Sequence, residues 1–276
     1  MSNTTAAVKQ ESAPIEWAKY LAEVVTAPGK LSAAYSAFWE YSIGNQLLAM
    51  SQCMARGIEL GPLASFNTWK DKSRFVKKGE KAIELCMPVM VKDKTSEDPN
   101  DKRRFFVFKK NWFVLAQTQG EDYTAPQPSK AWDKQKALKE LDIQEAAFSM
   151  MTGNCQGFAE NRRIAISPLA VLPHKTTFHE LAHIVLGHTA ESQTMTDNER
   201  TPRDIREVEA ESTAYILCNV LELPGLVESR GYVQSWLQDG EISNKSAQRI
   251  MTAADKILRA GLPANPKHEQ YQERTH

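Results

Sequence analysis

The apolar positions follow a helical spacing at the start of the chain and a strand-like spacing further on. Over residues 14–25 and 41–56 they recur every three or four positions, which predicts two helices. Gly57, directly after the second stretch, is a typical helix end. From Ser65 onwards the apolar runs 82–91, 105–108 and 112–116 predict three strands, and the charged segment 92–104 predicts a loop or hairpin connection.

The second half of the chain has a different pattern. The segment 123–130 contains Pro126 and Pro128 and is the predicted linker. Beyond it we predict helices at about 132–141, from about 145, around the HELAH sequence, and at about 203–221 and 245–260, with a short strand at 163–167. The fold class expected is α+β in two domains. Residues 14–122 would form helices plus a small antiparallel sheet, residues 131–265 a mostly helical domain with a short sheet, and residues 1–13 and 266–276 two tails.

The composition of the chain excludes some classes of protein. The 276 residues carry 34 Lys and Arg against 34 Asp and Glu, so the chain is not the strongly acidic protein that DNA mimicry by charge requires. No secretory h-region and no run of apolar residues long enough for a membrane span occurs, so we expect a cytoplasmic protein without a membrane partner. The four scattered cysteines contain no CxxC pair and are expected to be reduced and mostly buried.

The sequence TFHELAH contains the pattern HExxH. Residues four apart on a helix project from the same face, so His179 and His183 can bind one metal ion. Glu180 is then positioned to accept a proton from the metal-bound water rather than to bind the metal. This pattern predicts a metallopeptidase site for Zn²⁺, with Mn²⁺ or another divalent ion as the alternative.

A catalytic zinc site usually carries three protein ligands, and the sequence REVEAES offers candidates for the third. Its spacing places Glu207 and Glu211 on one helix face and turns Glu209 away. We expect Glu207 to bind the metal and Glu211 to contact a ligand imidazole, with the reverse assignment left open. Glu209 is expected to be a solvated charge. His188 is an alternative ligand, but it lies five residues after His183 and therefore off the ligand face.

Lysines and arginines are in excess between Phe66 and Trp112, where they alternate with aromatic residues. Grooves for single-stranded nucleic acid combine such cations with rings that stack on unpaired bases. The alternative is a solvated basic face with Phe66, Trp69 and Phe75 in the core.

Several segments together resemble the ArdC-type antirestriction proteins. In the first half these are Tyr41-Ser42-x-x-Asn45, FNTWK, VKKGEKAI, CMPVM and FFVF with WFVLAQTQG, and in the second half HKTTFHELAH, REVEAESTAYILC and YVQSWL. The resemblance covers nearly the whole chain. It implies a single-stranded-DNA-binding domain joined to a gluzincin-like metallopeptidase domain, in a protein that protects DNA entering a recipient cell during conjugation from host restriction.

The resemblance also implies roles for particular residues. It assigns the metal to His179, His183 and a glutamate of REVEAES, with Glu180 catalytic. For single-stranded DNA it implicates the FNTWK–VKKGEK region, and the candidate DNA-binding residues are Asn45, Trp69, Lys70, Lys72, Arg74, Lys77, Lys78 and Lys81.

Two other functions stay open at this point. The chain could be a DNA-binding protector whose metal domain is structural or whose hydrolytic activity is dispensable. It could also be a regulatory metalloprotease that cleaves a repressor. The partners expected under the main hypothesis are single-stranded DNA and a protein substrate that the sequence does not identify.

Overall fold

A computed structural model describes residues 16–263 apart from 28, 93–101, 150–154, 191–200, 225, 227–229, 232 and 235–241. The described residues form an α+β fold, which confirms the predicted fold class. Helices and small antiparallel sheets make up the first half, and the second half is mostly helical. No helix among the described residues combines the length and the apolar character needed to cross a membrane.

The first half contains four helices and five strands. The helices are α1 (Trp17–Thr26), α2 (Lys30–Phe38), α3 (Ile43–Arg56) and α4 (Phe66–Asp71). The strands are β1 (Leu63–Ser65), β2 (Arg74–Val76), β3 (Ile83–Lys92), β4 (Lys102–Val114) and β5 (Thr118–Gly120). One antiparallel sheet has the order β1-β4-β3, and β2 pairs separately with β5.

Among the described residues of the second half, four longer helices surround a small sheet. The helices are α5 (Lys134–Glu140), α6 (Pro173–Val185), α7 (Arg203–Val220) and α8 (Asn244–Gly261). The strands are β6 (Gln144–Glu145), β7 (Gly157–Glu160) and β8 (Arg163–Ile166), in the order β6-β8-β7. Strand β8 is parallel to β6 and antiparallel to β7.

Two amide side chains of α3 cover the outer edge of β3. Asn45 donates from Nδ2 to the carbonyl of Cys86 at 2.9 Å and accepts from its N–H at 2.8 Å. Two helical turns later Gln52 makes the same pair of bonds with Glu84, at 2.8 and 2.9 Å. In a strand, the main-chain N–H and C=O groups of alternate residues point to the same edge. The two amides therefore hydrogen-bond main-chain groups at an edge of β3 that has no neighbouring strand among the described ones.

Helix α8 joins the two halves. Its Asp255 accepts a hydrogen bond from the N–H of Ile43 at 3.2 Å, and its Arg259 donates to the carbonyl of Tyr41 at 3.0 Å. The indole of Trp132 donates to the carbonyl of Ile257 at 3.0 Å and lies edge-on to Phe178, with ring centroids 4.8 Å apart. The helix that carries the HExxH residues is therefore packed into a core that both halves share.

Some predicted elements differ from the observed ones. The predicted helix from about 145 is wrong at its start, since Gln144–Glu145 is a strand and residues 146–149 are not helical, while 150–154 lie outside the described residues. The two strands predicted at 105–108 and 112–116 are one strand, β4, with an irregularity where its register against β3 shifts. The segment FNTWKD forms a short helix because Ser65 accepts a hydrogen bond from the N–H of Thr68 and caps it.

Replacing Asn45 by Ala should destabilise the fold by about 1–3 kcal/mol, because two main-chain groups of β3 lose their partner inside the protein. Urea unfolding measures the difference. The control is Asn67→Ala, at an exposed position of α4, for which we expect about 0.5 kcal/mol or less. Equal stability of the Asn45→Ala and Asn67→Ala variants would contradict the role assigned to this amide.

Candidate metal centre

Helices α6 and α7 pack face to face and place the HExxH residues in the contact between them. On α6, Phe178, Leu181 and Ala182 are fully buried, which fixes the rotation of the helix. The two histidines and Glu180 consequently project towards α7. Helix α7 is buried on nearly every side over its second half, so it has little freedom to shift.

His179, His183 and Glu207 bring three ligand atoms together. The Nε2 atoms of the two histidines are 3.1 Å apart, and Oε2 of Glu207 lies 3.4 Å from the first and 3.7 Å from the second. Two ligands each ~2.0–2.1 Å from a tetrahedral zinc ion are separated by about 3.3–3.4 Å. The triangle therefore has the dimensions of three corners of a metal coordination sphere.

Glu211 contacts His179 on the side of the imidazole that faces away from the triangle. Its Oε2 is 3.2 Å from Nδ1 of His179, and its other oxygen is 2.7 Å from Nζ of Lys175. A carboxylate accepts only, so Nδ1 of His179 carries the proton of this hydrogen bond. The lone pair of a neutral His179 is then on Nε2, the atom that faces Glu207.

The second histidine is supported by a buried chain of side chains. Nδ1 of His183 is 3.0 Å from Nδ1 of His188, and Nε2 of His188 is 2.9 Å from Oε2 of Glu209. Arg249 on α8 approaches the same oxygen at 3.5 Å. Burial lowers the pKa of His188 more than Glu209 raises it, so His188 is neutral at pH 7.

A neutral His188 fixes the proton positions along this chain. Its Nε2–H donates to Glu209, which leaves its Nδ1 as an acceptor for the Nδ1–H of His183. In a neutral His183 the lone pair is then on Nε2, which is directed to the triangle, as it is in a neutral His179. Both imidazoles are thus oriented by an outer partner, as is usual for histidines that bind metals.

The expectation that Glu209 is a solvated charge is wrong. Its side chain is 1% exposed. Glu209 does turn away from the triangle, but that face of α7 meets the segment after α6 and Arg249 of α8 instead of solvent. Gly187, at a φ of +85°, lets the chain reverse after α6 and bring His188 to this face. The sequence carried no periodic signal for this arrangement, because it depends on how three helices meet.

Glu180 lies in the same cleft and is almost fully buried. Its burial raises the pKa, a trend the nearby histidines oppose. A Cβ atom on Gly157 would come within 3.2 Å of Cγ of Glu180 and 2.7 Å of Thr176, so only glycine lets β7 pass this close. Strand β7 therefore forms a wall beside Glu180.

The strand that can pair with an extended peptide is β7. Strand β8, which precedes α6, is paired with a strand on each side. Among the described strands β7 pairs only with β8 and therefore forms the edge of this sheet. Its end at Ala159 and Glu160 lines the cleft that contains Glu180, His183 and Glu207.

Three of the residues predicted to bind DNA hold parts of the fold together. Trp69 is 1% exposed and donates its indole N–H to the carbonyl of Phe113 at 2.7 Å, so its ring is in the core. Asn45 uses both atoms of its amide on the main chain of Cys86. Arg74 holds β2 to β5 through Thr118 and the carbonyl of Glu121. Lys72 lies over the ring of Tyr123 at 4.6 Å, and Lys77 is exposed but donates from Nζ to the carbonyl of Ala116 at 2.8 Å. The other candidate lysines are exposed as well: Lys70, Lys78 and Lys81.

Two aromatic rings in the basic segment are exposed, although the alternative of a solvated basic face placed them in the core. Phe66 is 49% exposed and Phe75 is 55% exposed. On the β3–β4 hairpin Phe105 and Phe106 are exposed as well. Rings that can stack on unpaired bases are therefore present, at positions other than Trp69.

Comparison with known proteins gives two results in agreement. Residues 5–122 match the family described as the N-terminal domain of anti-restriction factor ArdC. Two crystal structures of the antirestriction ArdC protein from the R388 plasmid share the fold, each with a TM-score of 0.51. The metal-free structure is 19% identical and covers 89% of this chain and 97% of its own. The Mn(II)-bound structure is 17% identical and covers 90% and 98%.

Residues 5–122 therefore carry the ArdC N-terminal domain, and the chain has the fold of the ArdC proteins. Both results agree with the resemblance found in the sequence. No curated protein matches the chain at a significant level. One of the two solved structures is Mn(II)-bound, and this chain offers a histidine, histidine and glutamate group that fits a divalent ion.

Metal affinity should rise with pH up to about 9. In the metal-free protein burial lowers the pKa of His179, but hydrogen bonds to Glu207 and Glu211 outweigh it and raise the pKa to about 9. Metal binding must therefore displace this proton, so affinity should increase about tenfold per pH unit between ~6.5 and ~9. Competition titration against a chelator, in a non-coordinating buffer, measures this slope. A pH-independent affinity from 7 to 9 would show that the metal displaces no proton from His179 in this range, which would contradict the raised pKa.

Replacing Glu209 by Gln should weaken metal binding by about 10–100-fold, because His188 loses the carboxylate that fixes its tautomer. The same titration at pH 7.5 measures it. Glu140→Gln, on the exposed face of α5, is the matched control and should bind metal normally. If both variants bind metal like the parent protein, the chain through His188 does not orient His183.

Proposed function

We propose that this protein is an ArdC-type antirestriction factor. In this proposal it binds single-stranded DNA that enters a recipient cell during conjugation, and it hydrolyses a peptide bond in a protein met on that DNA. The observation that carries the peptidase part is the triangle of Nε2, Nε2 and Oε2 atoms with Glu180 buried in the same cleft. A purely structural metal site has no use for that carboxylate.

The donor set suits zinc, since imidazole and carboxylate at these separations are common zinc ligands in hydrolases. Mn(II), with which the R388 protein was crystallised, is the alternative. When bound, the ion would lower the pKa of a coordinated water towards ~7 and polarise the scissile carbonyl. His179, His183 and Glu207 would hold it.

Residues of the chain would carry out the proton transfer and position the substrate. Glu180 accepts a proton from the attacking water and passes it to the leaving amine. Its raised pKa brings it nearer to neutral pH, where a group can both accept and return a proton. The edge of β7 aligns an extended peptide by main-chain hydrogen bonds, and Gly157 lets that strand lie against Glu180.

The DNA-binding part rests on the exposed rings and cations of the first half. Phe66 lies on α4 and Phe75 on β2. The exposed Lys70 is also on α4, and the exposed Lys77 directly follows β2. Cations that follow the phosphates and rings that stack on bases are the two components of a single-strand site. Lys72, Lys78 and Lys81 add to the same basic surface.

A second function has support of its own. The exposed aromatic and basic surface belongs to the first half and contains none of the metal residues, so protection could depend on DNA binding alone. In that case the protein shields DNA and its hydrolytic activity is dispensable.

Replacing Glu180 by Gln should leave metal affinity within a few-fold of the parent and abolish peptide hydrolysis, because the base is lost and the three ligands stay. Chelator competition and cleavage of an unstructured protein such as casein measure the two properties. Scoring the variant for protection of transferred DNA then separates the two functions. Full protection by a hydrolytically inactive variant would establish the shielding function in place of the peptidase-dependent one.

Replacing Phe75 by Ala should weaken binding of a single-stranded oligonucleotide by about tenfold, since one stacked base contributes ~1–3 kcal/mol. Fluorescence anisotropy at fixed salt measures it. Leu169→Ala is the matched control, since Leu169 is 86% exposed in the second half. An unchanged affinity for the Phe75→Ala and Phe66→Ala variants would place the DNA on another surface.

A further inference from the structure

The cleft at the metal centre has a basic end that the catalytic chemistry does not use. The cleft has a volume of about 450 Å³. His183, Glu180 and Glu207 line it, and so do Arg203 and Arg206, which precede Glu207 on α7. Both arginines lie within the first turn and a half of α7, the helix that supplies Glu207.

The position of Arg203 and Arg206 relative to Glu207 follows from helix geometry. Arg206 directly precedes Glu207, and Arg203 lies one turn before it, so its Cα is about 6 Å from that of Glu207 along the helix axis. One residue of an extended peptide spans ~3.3 Å. A peptide whose scissile carbonyl is at the metal therefore has a side chain within reach of these arginines, one or two residues away.

Arg206 makes few hydrogen bonds with the described residues. Its Nη1 is 3.5 Å from the carbonyl of His188, a long contact, and its Nε is buried without a hydrogen-bond partner among the described residues. No carboxylate among the described residues forms an ion pair with Arg203 or Arg206. An arginine carries five N–H donors and does not lose its charge, so a buried donor without an acceptor is costly.

The charges of the cleft favour an anion at this end. Glu160 lines the cleft but belongs to the end of β7, and Glu207 faces the two imidazoles. Once a divalent ion offsets Glu207 and Glu180, the two arginines outnumber the remaining carboxylate. A carboxylate is planar and accepts two parallel N–H bonds, which matches the guanidinium group.

We propose that Arg203 and Arg206 form a subsite for a carboxylate of the peptide substrate, next to the bond at the metal. The carboxylate belongs to an Asp or Glu side chain or to the end of the substrate chain. This subsite rests on the proposed peptidase function and specifies its substrate class: acidic peptides are preferred over neutral ones.

Three dipeptide hydroxamates test the subsite by binding rather than by turnover. The hydroxamate group chelates the metal, and the probes differ only in their second residue: Asp amide, Asn amide, and Asn with a free carboxylate. Calorimetric titration of the zinc-loaded full-length protein at low salt should show one acidic probe binding about tenfold more tightly than Asn amide. The preferred acidic probe identifies the source of the carboxylate.

Substitutions of Arg206 test whether the arginines cause the preference for an acidic probe over Asn amide. Arg206→Met keeps the aliphatic part of the side chain and should remove most of the preference, whereas Arg206→Lys should keep part of it. The control is Lys139→Met, an exposed position of α5, which should keep the full preference. Retention of metal by each variant is checked by the chelator titration.

The outcomes separate this inference from the function on which it rests. If all three probes bind equally, the metal centre stands and the carboxylate subsite is overturned. If none of them binds the metal-loaded protein, the peptidase function itself fails. If a single-stranded oligonucleotide displaces the acidic probe, and Arg206→Met weakens oligonucleotide binding as much as probe binding, the arginines bind DNA phosphate and the subsite is also overturned.

Discussion

The packing of α6 against α7 is the constraint on which the candidate centre depends. Phe178 and Leu181 on one helix and Ala210 and Ala214 on the other are completely buried, so neither helix can rotate without exposing its apolar side. With the rotation fixed, the imidazoles of α6 face the carboxylates of α7. The distances of 3.1–3.7 Å among the three ligand atoms are a consequence of this fit.

The charges at the centre are balanced differently with and without a metal. In the metal-free protein the proton on His179 takes the place of the cation, held between Glu207 and Glu211. Because its pKa is raised above the unfolded value, this proton stabilises the fold fully below pH ~6.5, and the contribution is lost as the pH rises through about 9. A metal ion bound at this site would restore the positive charge in that range. Folding and metal binding would then be coupled through the same imidazole.

The sequence was sufficient to predict the residues whose positions follow from local periodicity. HExxH on α6 and the spacing of Glu207 and Glu211 on α7 can be deduced from 3.6 residues per turn, and the structure brings these residues together. His188 and Glu209 could not be found in this way, because they meet only through the reversal at Gly187 and the approach of α8. The same limit applies to Trp69 and Phe75, which are both aromatic residues in a basic segment. The short helix α4 turns Trp69 inward, whereas Phe75 lies on β2 and is exposed.

The central claim is that His179, His183 and Glu207 hold one divalent ion beside Glu180. Anomalous diffraction from crystals grown with zinc or with manganese tests it most directly. The account predicts a single anomalous peak bonded to two Nε2 atoms and one oxygen of Glu207, with a solvent ligand open to the cleft. A peak bonded to Glu211 or His188 instead, or an ion enclosed by four protein ligands, would contradict it.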